Sequence, residues 1–152
     1  MTRRPPPGTP RSGESAAVES AASAISRASP LSQRTTDNVD ERNRQSLHDI
    51  ADFCSLAADL VSRGREAYDG DRMLQLAAEA VITRIGEAVG RLDPPFVSSR
   101  PEVPFRQAKG MRNLVSHEYR RTDPEIVWGT LVDDIPPFCA QVNGILLAWP
   151  RP

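Results

Sequence analysis

The sequence predicts an all-α fold, an up-down bundle of four to five helices, and three observations lead there. Past residue 39, apolar residues recur at three- and four-residue steps along most of the chain. No stretch alternates apolar and polar side chains convincingly enough for a half-buried strand. The punctuation is short: Gly64, Asp93-Pro94-Pro95 and Thr122-Asp123-Pro124 each interrupt a periodic run, as in helices joined by tight connections.

Residues 1–38 stand apart. Pro5, Pro6, Pro7, Gly8 and Pro10 lead into Ser and Ala, with no aromatic residue and few large aliphatics. Such a stretch cannot bury enough apolar surface to offset its ordering entropy, so it is expected as a disordered tail. Residues 39–150 form the helical domain. From about Asp40 to Arg63, Leu47, Ile50, Cys54, Ala57, Ala58 and Val61 make one apolar stripe, and Gly64 suits a helix stop. From about Asp71 to Gly90, the stripe is Met73, Leu76, Ala77, Ala80, Val81, Ile85, Ala88 and Val89. The third run, about Pro104 to Glu118, opens on a proline tolerated in a first turn and buries Phe105, Ala108, Met111, Leu114 and Val115. Thr122-Asp123-Pro124-Glu125 restarts a helix with a cap, a first-turn proline and an acid at the positive dipole end. This fourth helix carries Ile126, Val127, Thr130 and Leu131 and must kink or break at Pro136-Pro137. It resumes with Phe138, Val142, Ile145, Leu146 and Trp149 on one face.

Composition narrows the function. The chain has 152 residues, the size of one domain with a real core, and a net charge of −1 that argues against a broad nucleic-acid-binding surface or a long duplex track. Charge is uneven, however. Arg100, Arg106, Lys109, Arg112, Arg120 and Arg121 face only Glu102 and Glu118 in the same segment, which suits a small anionic site. Cys54 and Cys139 read as two inert thiols among apolar residues, and without a CxxC or Cys/His pairing no metal site is expected. No signal peptide or membrane span is evident, so the expected compartment is the cytoplasm.

The chemistry concentrates in Arg112-Asn113-Leu114-Val115-Ser116-His117-Glu118-Tyr119. Arginine is a fixed cation shaped to grip phosphate, and histidine moves protons near neutral pH. Together they suffice to cleave RNA without a metal. On one ideal helix Arg112 and Tyr119 share a face, but His117 is turned by roughly 140° from Arg112. Either the helix loosens near His117, or a second copy of the chain completes the site. Attack by the RNA's own 2′-hydroxyl needs a base for that proton and an acid for the leaving 5′-oxygen. Two symmetry-related His117 side chains supply both, with Arg112 stabilising the phosphorane charge and Asn113 adding a neutral hydrogen bond. Judged on these residues alone, helix capping or packing is the better reading of Arg112 and His117. Glu87 either faces the cleft and orients Arg112 or is a solvated helical acid. His48 reads as a surface histidine, and Trp128 and Trp149 as core or interface anchors.

Gly110 through Tyr119, followed by Asp123 and Trp128, resembles the HepT-like toxins of the HEPN superfamily, whose signature is Arg, four residues, His, one residue and Tyr. Arg84-Ile85-Gly86-Glu87-Ala88 and Val103-Pro104-Phe105 are similar too, with Phe105 where that family usually has tryptophan. The second proline of Pro136-Pro137 is another small departure. The resemblance covers about Glu41 to Trp149. It implies a helical homodimer whose two motifs meet in a cleft, with Arg112 and His117 as catalytic residues of a metal-independent endoribonuclease that uses no cofactor. It also implies a toxin paired with a minimal nucleotidyltransferase antitoxin, which transfers AMP onto the motif tyrosine, here Tyr119. The RNA is left open between tRNA and mRNA. Two other classes stay in play: a non-catalytic helical dimer that docks and regulates a nucleotidyltransferase, and a nucleotide-binding helper subunit of a transferase.

Overall fold

The computed structural model describes residues 29–116 and 122–151. Every regular element among them is helical. In chain order these are α1 (Pro30–Ser62), α2 (Arg65–Gly70), α3 (Arg72–Gly90), α4 (Pro94–Ser98), α5 (Phe105–Ser116), α6 (Pro124–Gly129), a π-turn (Thr130–Asp134) and α7 (Ile135–Leu147). Contacts divide the chain into Met1–Asp37 and Asn38–Pro152. In the first unit, Thr35 and Thr36 donate their hydroxyls to the carbonyls of Leu31 and Ser32 at 2.9 and 3.0 Å, in the manner of exposed helical threonines.

Helix α1 begins at Pro30, within the stretch expected to be a disordered tail up to residue 38. Periodicity missed this start because residues 30–38 are all exposed and carry no apolar stripe. Further along, Leu47, Ile50, Cys54 and Ala57 are buried as the stripe requires, whereas Ala58 is exposed.

Gly64 (φ 88) turns the chain in a conformation that L side chains rarely adopt, and α2 follows at once. Asp71 then caps α3, its carboxylate accepting from the Met73 N–H at 2.8 Å. The face of α3 differs from expectation in its first half. Met73 and Leu76 are 71% and 43% exposed, while Leu74 and Ala78 turn inward. Its early turns are apolar on more than one side, so periodicity alone does not select the face. From Val81 onward the expected side is buried, through Val81, Ile85, Ala88 and Val89. Asp93-Pro94-Pro95 does more than break the chain, since the two prolines start the short α4.

Helix α3 is the spine of the second unit: it packs chiefly against α5 and also touches α2 and α6. Phe105 at the start of α5 is buried beside Phe138 of α7, ring centroids 6.0 Å apart and edge-on. Burial of each such ring contributes about 1.5–3 kcal/mol, with the pair geometry adding about 1 kcal/mol.

The break expected at Pro136-Pro137 is displaced upstream into the π-turn. Neither proline can donate to a carbonyl four residues back, and each ring crowds that carbonyl. The wider turn accommodates this: the Ile135 N–H donates to Thr130, five residues back, and both prolines sit in the first turn of α7. Beyond them Phe138 and Val142 are buried, and Ile145, Leu146 and Trp149 pack against the core, as the sequence predicts.

Cys54 and Cys139 are not two separate thiols. They form a disulfide between α1 and α7, with Cα atoms 6.0 Å apart across 85 residues of sequence. Spacing gave no hint of the pairing, because only the packing of α7 on α1 brings the two side chains together.

Candidate functional site

Helix α5 has one buried side and one basic side. Phe105 and Ala108 are buried, while Arg106, Lys109, Arg112 and Asn113 are exposed. The described helix contains no acidic residue. No ion pair among the described residues engages Arg106, Lys109 or Arg112.

Arg112 is held from below by a glycine. A Cβ built on Gly86 would lie 2.8 Å from the Arg112 Cβ, 3.3 Å from its backbone nitrogen and 3.4 Å from the Ala108 carbonyl oxygen. Only a residue without a side chain allows α5 to approach α3 this closely. The contact fixes the base of the Arg112 side chain while leaving the residue open to solvent. One turn along, the Lys109 Cε runs past Gly90, 3.8 Å from the position of an added Cβ. The Gly86–Arg112 approach thus brings together two segments that the sequence marked independently, Arg84 to Ala88 and Arg112 to Asn113.

Glu87 lies next to this contact, half-exposed. Its carboxylate accepts from Arg84 Nη1 of its own helix at 3.2 Å. His117 and Tyr119, with Glu118 between them, fall outside the described residues. Among the described residues no group of three His, Cys, Asp or Glu side chains is placed to hold a metal ion.

On the far side of the motif the chain is anchored by the cap that the sequence predicts and by two residues that sequence reasoning passed over, Arg65 and Tyr68. Asp123 caps α6, accepting from the Glu125 N–H at 2.9 Å. Tyr68 of α2, 1% exposed, donates its hydroxyl to the Pro124 carbonyl at 3.1 Å and tilts its ring on Trp128 at 4.9 Å. Arg65 pairs with Asp69 at 2.8 Å and with Glu125, and its guanidinium lies 5.6 Å from the centre of the Trp128 ring. Burial pushes the Tyr68 hydroxyl above the ordinary tyrosine range. The carboxylates of Glu125 and Asp69 hold Arg65 even more firmly charged than usual. A lone tyrosine in the five-residue stretch between Gly64 and Gly70 gives no local signal of this role. The expectation for Trp128 as a packing anchor is met here.

The fold and site define an all-α bundle that presents Arg112 to solvent from a helix pinned against a glycine of its neighbour. The profile of the ribonuclease HepT-like family matches residues 44–145, and the chain belongs to that family. RNA is the substrate class that membership implies. A Caldanaerobacter subterraneus subsp. tengcongensis protein described as a candidate RNase is 35% identical over 53% of this chain and 72% of its own length. A candidate ribonuclease HepT of Thermococcus cleftensis is 31% identical over 59% of this chain and 83% of its own. A candidate RNase of Methanocaldococcus jannaschii is 26% identical over 67% of this chain and 79% of its own. No solved structure matches significantly.

Proposed function

We propose that the chain is a metal-independent endoribonuclease, the toxin of a toxin–antitoxin pair, acting through Arg112 and His117 at an interface between two copies. The observation that carries this reading is the seat of Arg112. A guanidinium that is open to solvent, unpaired among the described residues and fixed at its base by Gly86 suits the charge on a phosphodiester under attack. One His117 removes the proton of the ribose 2′-hydroxyl as that oxygen bonds to phosphorus. The His117 of the second copy gives a proton to the departing 5′-oxygen as its bond to phosphorus breaks. The products are a 2′,3′-cyclic phosphate and a free 5′-hydroxyl. Asn113, exposed beside Arg112, offers a neutral donor to phosphate or ribose, whereas Glu87, one residue from the Gly86 contact, engages Arg84 rather than Arg112. Transfer of AMP from ATP onto the Tyr119 hydroxyl by a nucleotidyltransferase partner, with release of pyrophosphate, would place a phosphate ester near Arg112 and repel RNA, which makes it the off-switch. The RNA substrate places the activity in the cytoplasm, a compartment in which a disulfide such as Cys54–Cys139 is unusual.

The test uses purified wild type, Arg112→Ala and His117→Ala on total RNA in the presence of a chelator. Each substitution should lower cleavage by at least about 100-fold, the scale on which removal of one transition-state donor or one acid–base group acts. Undiminished cleavage by either variant overturns the assignment. A tight nucleotidyltransferase complex with no RNA cleavage by the wild type would favour the non-catalytic docking dimer instead.

A further inference from the structure

We propose that Lys109, Arg91 and Arg42 form a phosphate-binding track that continues from Arg112 and holds the backbone of single-stranded RNA beside the scissile bond. The proposal rests on the reading of RNA as the ligand and extends it from one phosphate to a path.

The path follows from how α3 and α5 are packed. They run antiparallel, with Gly86 opposite Arg112 and Gly90 opposite Lys109. The stem of Lys109 crosses α3 at Gly90, its Cε at ordinary packing distance, 3.8 Å, from where a Cβ would sit. The next residue, Arg91, ends α3 and lines a cleft of about 180 Å³ together with Arg42 and Asn43 of α1 and Asp93. From Arg112, cations therefore lead along the exposed side of α5, over the end of α3 and into this cleft.

The cleft is equipped for an anion. Arg91 gives Nη2 to Asp49 at 2.6 Å, which fixes the guanidinium at the rim while its other donors stay available. Asn43, 2% exposed, accepts from the Asp93 N–H at 2.9 Å, and that bond shapes the floor. No described ion pair engages Arg42. The two acids, Asp49 and Asp93, offset the two arginines locally, so the cleft attracts an anion by hydrogen-bond geometry more than by net charge. Lys109 and Arg112 add the charge. A narrow line of this kind suits a flexible single strand better than the broad face of a duplex, consistent with the overall charge of −1.

There is a competing structural role. Cations at the end of α3 also complement its negative dipole terminus, which would make them contributors to stability rather than to RNA binding. The experiment separates the two. His117→Ala full-length protein, to suppress cleavage, is titrated with a single-stranded RNA of about twelve nucleotides, within the usual span of such sites. The same titration is run on protein that also carries Arg42→Gln, Arg91→Gln and Lys109→Gln. Loss of three phosphate contacts should lower the slope of log affinity against log salt by about 2, which makes the fall in affinity between about 50 and 200 mM salt roughly 20-fold shallower. Arg63→Gln, just past the end of α1, with Arg72→Gln, at the start of α3, should leave the slope unchanged. Equal slopes for the triple variant and its parent overturn the track. So does equal loss in the control variant, an absence of RNA binding, or a lowered melting temperature with unchanged affinity. RNA that binds with the predicted slopes but is never cut by the wild type would instead sink the nuclease reading and leave the track standing.

Discussion

Replacing Gly86 with alanine tests the central contact of the site. Carbon atoms pack best at about 3.5–4.0 Å. The added methyl would lie 2.8 Å from the Arg112 Cβ, so one helix must yield by more than half an ångström, at least about 0.7 Å by that spacing. None of the three obstructing atoms is the end of a flexible side chain; one is a Cβ and two are backbone. Overpacking of this kind costs about 1–3 kcal/mol, against a gain of about 1 kcal/mol from placing alanine for glycine in a helix. Gly110 and Gly144 supply the reference, since both are helical and an added Cβ at either meets nothing within 4 Å. Alanine at those positions should stabilise by up to about 1 kcal/mol. Urea unfolding with unchanged m-values should therefore place Gly86→Ala about 1–3 kcal/mol below the other two variants. Because Arg112 moves with α5, RNA cleavage by Gly86→Ala should fall by more than about tenfold, as misplacement by 1 Å can cost about 100-fold. Gly144→Ala should cleave normally. If Gly86→Ala proves as stable as Gly110→Ala, the close approach of α3 and α5 is wrong, and with it the account of how Arg112 is held.

The Cys54–Cys139 disulfide closes a loop of 85 residues, and loop-closure entropy of that length corresponds to about 4.5 kcal/mol. Reduction, or alanine at both positions, should lower the melting temperature by about 15–20 °C for a domain of this size; a change under about 3 °C would contradict a formed cross-link. Tyr68 has a folded-state pKa above its unfolded value, so its contribution is intact below about pH 10 and is lost as pH rises through the raised value. Alkaline unfolding of Tyr68→Phe should be correspondingly less steep above pH 10 than that of the wild type, whereas parallel curves would remove Tyr68 as the group responsible.

Helix α1 shows how far local pattern reaches. Leu47, Ile50, Cys54 and Ala57 repeat at helical spacing and are buried together, because one apolar stripe admits one orientation against the core. The early turns of α3 show where it stops, since Leu74 and Ala78 fit the helical period as well as Met73 and Leu76, and contact with neighbouring helices selected between them. Short helices were hidden for the same reason: α2 and α4 are too brief for periodicity, and their neighbours hold them.

The candidate motif was legible because Arg112, Asn113 and His117 fall within six residues and read as a unit. Local spacing also determined the helical class, the capping of α6 by Asp123 and the disturbance around Pro136-Pro137. Tertiary structure alone decided that Gly86 meets Arg112, that Tyr68 grips Pro124 across 56 residues, and that Cys54 joins Cys139 across 85. Hydrogen-bonded helices form from neighbours in the chain and leave their period in the sequence. Contacts between distant residues depend on which faces close on one another, and that choice is settled only when the whole core packs.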